Sequence, residues 1–227
     1  MSEIKLSQAI NEFKEYKEAL KNGLSPGIIT PYSNLNNALR SGIPKNTITT
    51  IAAHSGKGKT AFALNLLINA PLLNPGTVVY FLSLEMPATA LVARRLSNVT
   101  KMTVNEIYDK DLDIDYSLLD DIKDLEFYID IEAGTAVQLY NRLDLFCKKI
   151  PTDKDILIAL DHSLLIEGKE DKDKTSDLAT YSNRLKLKYK NANIILISQL
   201  NDAFLKEERV KEKGVRLHPS YNDLYYG

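Results

Sequence analysis

The sequence predicts an α/β fold, a mostly parallel central sheet flanked by helices and preceded by one N-terminal helix. Three observations predict it. From residue 46 onward, apolar β-branched runs at 47–53 and 77–84 alternate with helical patterns at 60–69 and 88–98, the rhythm of a parallel sheet covered by helices. The first of these strands runs into a loop rich in glycine and lysine that opens directly onto a helix. The chain has 227 residues, 44% hydrophobic and 26% charged, enough for one sizeable core and too apolar for a disordered chain.

Each element has its own signature. At 2–20, Leu6, Ile10, Phe13 and Leu20 recur near helical spacing among lysines and glutamates, predicting a one-faced helix that Gly23 stops. The segment 24–45 carries Pro26, Gly27, Pro31, Gly42 and Pro44, so it reads as a turn-broken tether around a short helix at 33–39. This divides the chain into a linker helix at 1–23 and a core at 24–227. Further strands are predicted at 156–160 and 194–198, each preceded by an amphipathic helix, at 137–149 and 177–189. A weaker strand pattern lies at 126–131, and the charged stretch 167–174 reads as a loop. Cys147 reads as a small core residue. Arg94 and Arg95 are adjacent on one helix, so one is expected to pack its stem while the other is solvated.

Composition narrows the functional classes. The 29 basic and 30 acidic residues leave a net charge of -1, which excludes a uniformly basic nucleic-acid coat and confines any such contact to local patches. A single cysteine rules out an intramolecular disulfide, and three scattered histidines give no zinc-site pattern. No apolar run approaches the ~18 residues of a membrane span, and the N-terminus lacks the apolar core of a secretory signal. The expectation is a cytoplasmic protein without membrane contact.

The chemistry concentrates at strand ends. The run His54-Ser55-Gly56-Lys57-Gly58-Lys59-Thr60 follows strand 47–53 and precedes a helix. Such a loop wraps backbone N–H groups around a phosphate, with Lys59 reaching the β/γ-phosphates and Thr60 offering a hydroxyl to Mg²⁺. Ala53 stands where the consensus has its first glycine, and the alternative is a plain surface loop. Asp161 ends an apolar strand, which puts a carboxylate at the sheet edge where open α/β folds bind ligands; a helix cap or turn residue is the alternative. Glu85, after the strand 77–84, can be the general base that polarises a water, or an acidic residue in the first turn of the next helix. Gln199 ends the last strand and can sense a γ-phosphate, or be a solvated amide.

Taken in order, Ala53-His54-Ser55-Gly56-Lys57-Gly58-Lys59-Thr60, Ser83-Leu84-Glu85-Met86-Pro87, Leu160-Asp161 and Ser198-Gln199-Leu200-Asn201 resemble the DnaB-type replicative helicases. Alanine at position 53 is usual in that family. The lead-in Thr30-Pro31-Tyr32-Ser33-Asn34-Leu35 and the helix residues Tyr181-Ser182-Asn183-Arg184-Leu185-Lys186 are similar too, so the likeness runs from about residue 24. The resemblance implies a RecA-like P-loop NTPase fold and a hexameric ring of identical subunits. It implies hydrolysis of ATP with Mg²⁺ to translocate on single-stranded DNA and unwind duplex, in a bacterial or phage-infected bacterial cell. By position, Ser55, Gly56, Lys57, Gly58, Lys59 and Thr60 would bind nucleotide, and Thr60 and Asp161 would hold the metal. Glu85 would activate water, with Lys59 and Gln199 completing the catalytic set. The N-terminal helix resembles the family's linker helix, which packs on the neighbouring subunit; a helix folded onto its own core is the alternative.

DNA contacts in such rings come from channel-facing loops, here 166–176 and 201–219. Lys169, Lys172, Lys174, Lys206, Arg209, Lys211, Lys213 and Arg216 supply positive charge there, interspersed with acidic residues that would suit a merely solvated loop. The family's primase-docking N-terminal domain and its C-terminal strands with the arginine finger are expected to be missing, so a primase partner is not supported and turnover is expected to be slow. Asp202 stands where the family usually carries arginine. Rival expectations are another RecA-like ATPase of recombinase or clock type, a non-catalytic nucleotide-dependent assembly protein, and a small-molecule kinase.

Overall fold

The computed structural model describes residues 5–23, 26–161 and 171–200. In chain order these form α1 (Leu6–Lys21), α2 (Ser33–Ala38), β1 (Ile48–Ala53), α3 (Lys59–Leu73), β2 (Thr77–Ser83) and α4 (Ala88–Thr100). There follow α5 (Val104–Ile107), a 3-10 turn (Tyr116–Leu119), β3 (Phe127–Asp130), α6 (Ala136–Cys147), β4 (Asp155–Asp161), α7 (Asp171–Lys188) and β5 (Ala192–Gln199). The five strands make one sheet in the order β1-β5-β4-β2-β3, and every pairing is parallel.

Burial on both faces explains why the central strands read as continuous apolar runs rather than alternating ones. All seven residues of β2 are buried, as are six of the seven in β4. Successive side chains still point to opposite faces. Val79, Phe81, Leu157 and Ala159 join one cluster with Leu64, Leu67 and Ile68 of α3. Tyr80, Leu82, Ile156, Ile158 and Leu160 join another with Leu139 and Leu143 of α6 and Leu178 and Leu185 of α7. A buried charge ties the last two helices together. Asp144 on α6 accepts hydrogen bonds from Lys188 and from the Tyr189 hydroxyl at 2.8 Å, and pairs with Lys148 at 2.8 Å. Lys148 first, then Lys188, hold its carboxyl well below the usual carboxylate range. Cys147 is a 2% exposed core residue whose thiol burial pushes up to about 12.

Four sequence expectations change. The segment predicted as a tether is part of the core: Ile28 and Ile43 form an antiparallel bridge and are 1% and 2% exposed. Asn74 clasps the same segment, its side chain bonding Ile29 N and O at 2.8 and 2.9 Å. Helix α7 begins at Asp171, so the stretch expected as a loop through residue 174 is helical from 171. Arg94 and Arg95 are both half-buried, and Arg95 reaches Asp121 at 3.1 Å, so neither is simply solvated. The excursion between α4 and β3 carries α5, a helix not predicted. Its signal was present, because Thr103 and Glu106 form a reciprocal capping box.

Helix α1 stands apart from both clusters. It buries no residue, and Leu6, Ile10 and Phe13 are 77%, 47% and 64% exposed. Its contact with the rest of the molecule includes the Tyr16 hydroxyl, 3.4 Å from Ser41 Oγ. The apolar residues Leu6, Ile10 and Phe13 are thus exposed rather than packed on the described core.

Candidate nucleotide-binding site

The loop after β1 turns twice through left-handed backbone, at Gly56 (φ 72°) and Gly58 (φ 82°). A side chain there would be strained by about 1–2 kcal/mol. A Cβ built on either glycine meets nothing within 4 Å, so the loop's open side has room for a ligand. Lys57 N donates to His54 O at 3.3 Å, which closes the loop on itself. Gly58 then caps α3, and Phe62 N donates to Gly58 O at 2.9 Å as the first full helical bond. The first turn of α3 contains no acidic residue, so the positive end of a 15-residue helix is left for an outside anion.

Ala53 explains itself in this geometry. It is the last residue of β1, in register with Gln199, and its carbonyl accepts from Leu200 N at 3.2 Å. It is not among the residues with positive φ, so glycine is not required there. Lys59 and Thr60 are each 8% exposed at the start of α3, whereas Ser55, Gly56 and Lys57 are exposed at the loop's apex. Tyr32 braces the same helix. Its ring stacks on Phe62 at 4.5 Å, and its hydroxyl accepts from Asn65 Nδ2 at 2.9 Å.

The strand order brings the other candidates to this loop. β5 lies between β1 and β4, so Gln199 ends its strand between the loop and Asp161. Neighbouring strands are about 4.8 Å apart, so β1 and β4 are roughly 10 Å apart, a span that a loop and a bound phosphate chain can bridge. Asp161 is 0% exposed at the end of β4, opposite Ser83 of β2. Glu85 follows in the bend after β2 and is exposed. It precedes Pro87, the N-cap of α4, whose first turn has no acidic residue; the alternative of a first-turn carboxylate is thereby excluded.

The donor chemistry suits a hard cation. The Thr60 hydroxyl and the Asp161 carboxylate are oxygen donors of the kind Mg²⁺ takes, and both are shielded from bulk water. Sequence reasoning placed Ser83 in a motif but gave it no role; it is buried at this edge and hydrogen-bonds the carbonyl of Met86 at 2.7 Å. Among the DNA-contact candidates, Lys169, Lys206, Arg209, Lys211, Lys213 and Arg216 lie outside the described residues. Lys172 and Lys174 fall in the first turns of α7.

A cleft of about 310 Å³ opens elsewhere, between α3, α4, the 3-10 turn and β3. Leu64, Ile68, Leu91, Leu119, Ile122 and Phe127 make its lining mainly apolar. No described helix is long and apolar enough to cross a membrane.

An all-parallel sheet with a glycine-lysine phosphate loop at one strand end, and acidic residues at the ends of nearby strands, defines a nucleotide-using α/β domain. The chain belongs to the family of DnaB-like helicase C-terminal domains, whose family model matches residues 27–222. It is 31% identical over 200 residues to the replicative DNA helicase DnaB of Buchnera aphidicola subsp. Schizaphis graminum, covering 83% of this chain and 42% of that protein. The corresponding helicase of Helicobacter pylori is 26% identical over 215 residues, covering 85% and 43%. The chain thus spans about two fifths of the length of these relatives. Among solved structures, a DnaB-like replicative helicase studied with its primase superposes with a TM-score of 0.76 at 20% identity, covering 99% of this chain and 54% of that one. A solved ATPase domain gives 0.74 at 20% identity, covering 99% and 79%. These two establish the RecA-like fold expected from the sequence.

Proposed function

We propose that this chain is the motor domain of a ring-forming replicative DNA helicase, binding and hydrolysing ATP to move along single-stranded DNA and part the duplex in a bacterial or phage-infected cytoplasm. The observation that carries the reading is the meeting of the loop 54–60, Asp161, Gln199 and Glu85 at one edge of the sheet, in a chain whose named relatives are replicative helicases. In this reading the backbone N–H groups of Ser55 to Lys59 cradle the phosphates at the start of α3. The Lys59 ammonium lies on the β/γ-phosphates. Thr60 and Asp161 hold Mg²⁺, which when bound offsets charge on the phosphate oxygens. Glu85, exposed and unencumbered by a helix turn, accepts the proton of the attacking water. Gln199, between loop and metal site, registers whether the γ-phosphate is present.

An exposed apolar stripe and an apolar cleft support the ring. Leu6, Ile10 and Phe13 of α1 face solvent, and the cleft lined by Leu91, Leu119 and Ile122 is open. We read α1 as the linker helix at 1–23, seated in that cleft on the next subunit. Lys169, Lys172, Lys174, Lys206, Arg209, Lys211, Lys213 and Arg216 are the proposed DNA contacts.

The test is Mg²⁺-dependent ATP turnover of the chain with and without long single-stranded DNA, beside a Lys59→Ala control, with sedimentation recorded at the same concentrations. Turnover that DNA stimulates, that vanishes in the control and that accompanies an oligomer supports the reading. ATP binding without turnover at any protein or DNA concentration contradicts it.

A further inference from the structure

The family motifs assign no role to one buried polar side chain at this sheet edge. Ser83, the last residue of β2, is 2% exposed and stands opposite Asp161 in the β2–β4 ladder. Its hydroxyl donates a 2.7 Å hydrogen bond to the carbonyl of Met86. That bond closes Leu84, Glu85 and Met86 into a tight bend whose middle residue is Glu85. On the other shoulder, Leu84 N donates to the carbonyl of Asp161 at 2.7 Å. Leu84 and Met86 pack against the two core clusters on either side, while Glu85 between them is exposed. The ladder to β4 ends at the Ser83–Asp161 pair, and α4 starts only at Ala88, with no side-chain cap.

We propose that Ser83 is a positioning residue for Glu85: its hydroxyl closes the bend that holds the Glu85 carboxylate beside the end of the Asp161 strand. It therefore governs the rate of water activation and leaves nucleotide binding to the loop 54–60. The proposal rests on the hydrolysis reading above. Serine suits the task because it is the shortest side chain that carries a good donor, and the bond must reach a carbonyl only three residues on. Without it the bend loses the hydrogen bond that ties its Met86 end back to β2, and the packing of Leu84 and Met86 alone holds the carboxylate less closely. Misplacing a reacting group by about 1 Å can cost on the order of a hundredfold in rate.

The experiment compares the full chain with Ser83→Ala, Ser83→Cys, which keeps the volume with a weak donor, and Ser83→Thr, which keeps the hydroxyl. Five quantities are read: ATP affinity, kcat and KM for Mg²⁺-dependent turnover, thermal midpoint, and amide hydrogen exchange across 82–88. Ser83→Ala and Ser83→Cys are expected to lose roughly ten- to a hundredfold in kcat, with KM changed by less than about twofold. Exchange should quicken in the bend and not in the rest of β2, and Ser83→Thr should recover most of the lost kcat. Unchanged kcat in the Ala and Cys variants, or a loss of kcat matched by loss of ATP affinity, overturns the proposal. The exchange measurement needs no turnover. A wild-type chain that binds ATP without hydrolysing it refutes the hydrolysis reading, whereas unchanged exchange in the bend of Ser83→Ala refutes the clamp itself.

Discussion

Helix α1 and strand β2 are both built on apolar residues, yet one buries none of its 16 residues and the other buries all seven. The pattern accounts for the difference. Strand β2 is apolar on both faces and is sandwiched between α3 on one side and α6 and α7 on the other. Helix α1 has a narrow stripe in a charged background, and Leu6, Ile10 and Phe13 on that stripe are exposed among the described residues. The first region stabilises the chain's own fold; the second leaves apolar surface exposed, which in the proposed ring a neighbouring subunit would cover.

The sharpest way to break this comparison is to truncate one aromatic in each region. Phe81→Ala, at a 0% exposed position, should cost about 3–5 kcal/mol in chemical denaturation. Phe13→Ala should change the stability of a dilute chain by less than ~0.5 kcal/mol and weaken self-association instead. A comparable loss at both positions would mean that α1 already packs on its own core. Next in size, Gly58→Ala forces alanine into the left-handed region and should cost about 1–2 kcal/mol, while ATP affinity falls.

A smaller effect tests the helices that cover β4 and β5. Lys148 and Lys188 keep the Asp144 carboxyl below its ordinary range, so on acidification the unfolded chain takes up that proton first. The stabilisation is complete above the ordinary carboxylate pKa of ~4 and fades as pH falls toward the depressed folded value. Asp144→Asn should therefore lower the melting midpoint at neutral pH, with the gap to wild type closing in acid; a gap independent of pH would contradict the assignment. The smallest change is at the rim. Thr103→Ala removes one half of the capping box of α5 and should cost about 0.5–1 kcal/mol, leaving turnover unaltered.

How legible each part was follows from how local its cause is. The loop 54–60 could be read outright, because its glycines answer a backbone requirement that belongs to the loop alone. β2, β4 and β5 were legible because burial leaves long apolar runs, whereas β1, with no buried residue and two threonines, was legible by its β-branched run into the loop. The lead-in was misread as a tether because its burial comes from Ile28 meeting Ile43 and from Asn74 bonding Ile29, 45 positions away in sequence. Glu85 was ambiguous for the same reason: whether it starts a helix depends on where Pro87 caps α4, which sequence spacing does not fix. Ser83 was legible as part of a motif, but the role proposed for it was not, because it rests on a hydrogen bond to a carbonyl and serine occurs everywhere.

The central claim is that one sheet edge separates holding the nucleotide from breaking it. The most direct measurement is ATP affinity and Mg²⁺-dependent turnover, side by side, for the wild-type chain, Lys59→Ala and Glu85→Gln. The account predicts that Lys59→Ala loses affinity and turnover together, whereas Glu85→Gln binds ATP as tightly as wild type and loses turnover by a factor of about 10² or more. Wild-type turnover in Glu85→Gln, or full affinity and turnover in Lys59→Ala, would contradict it.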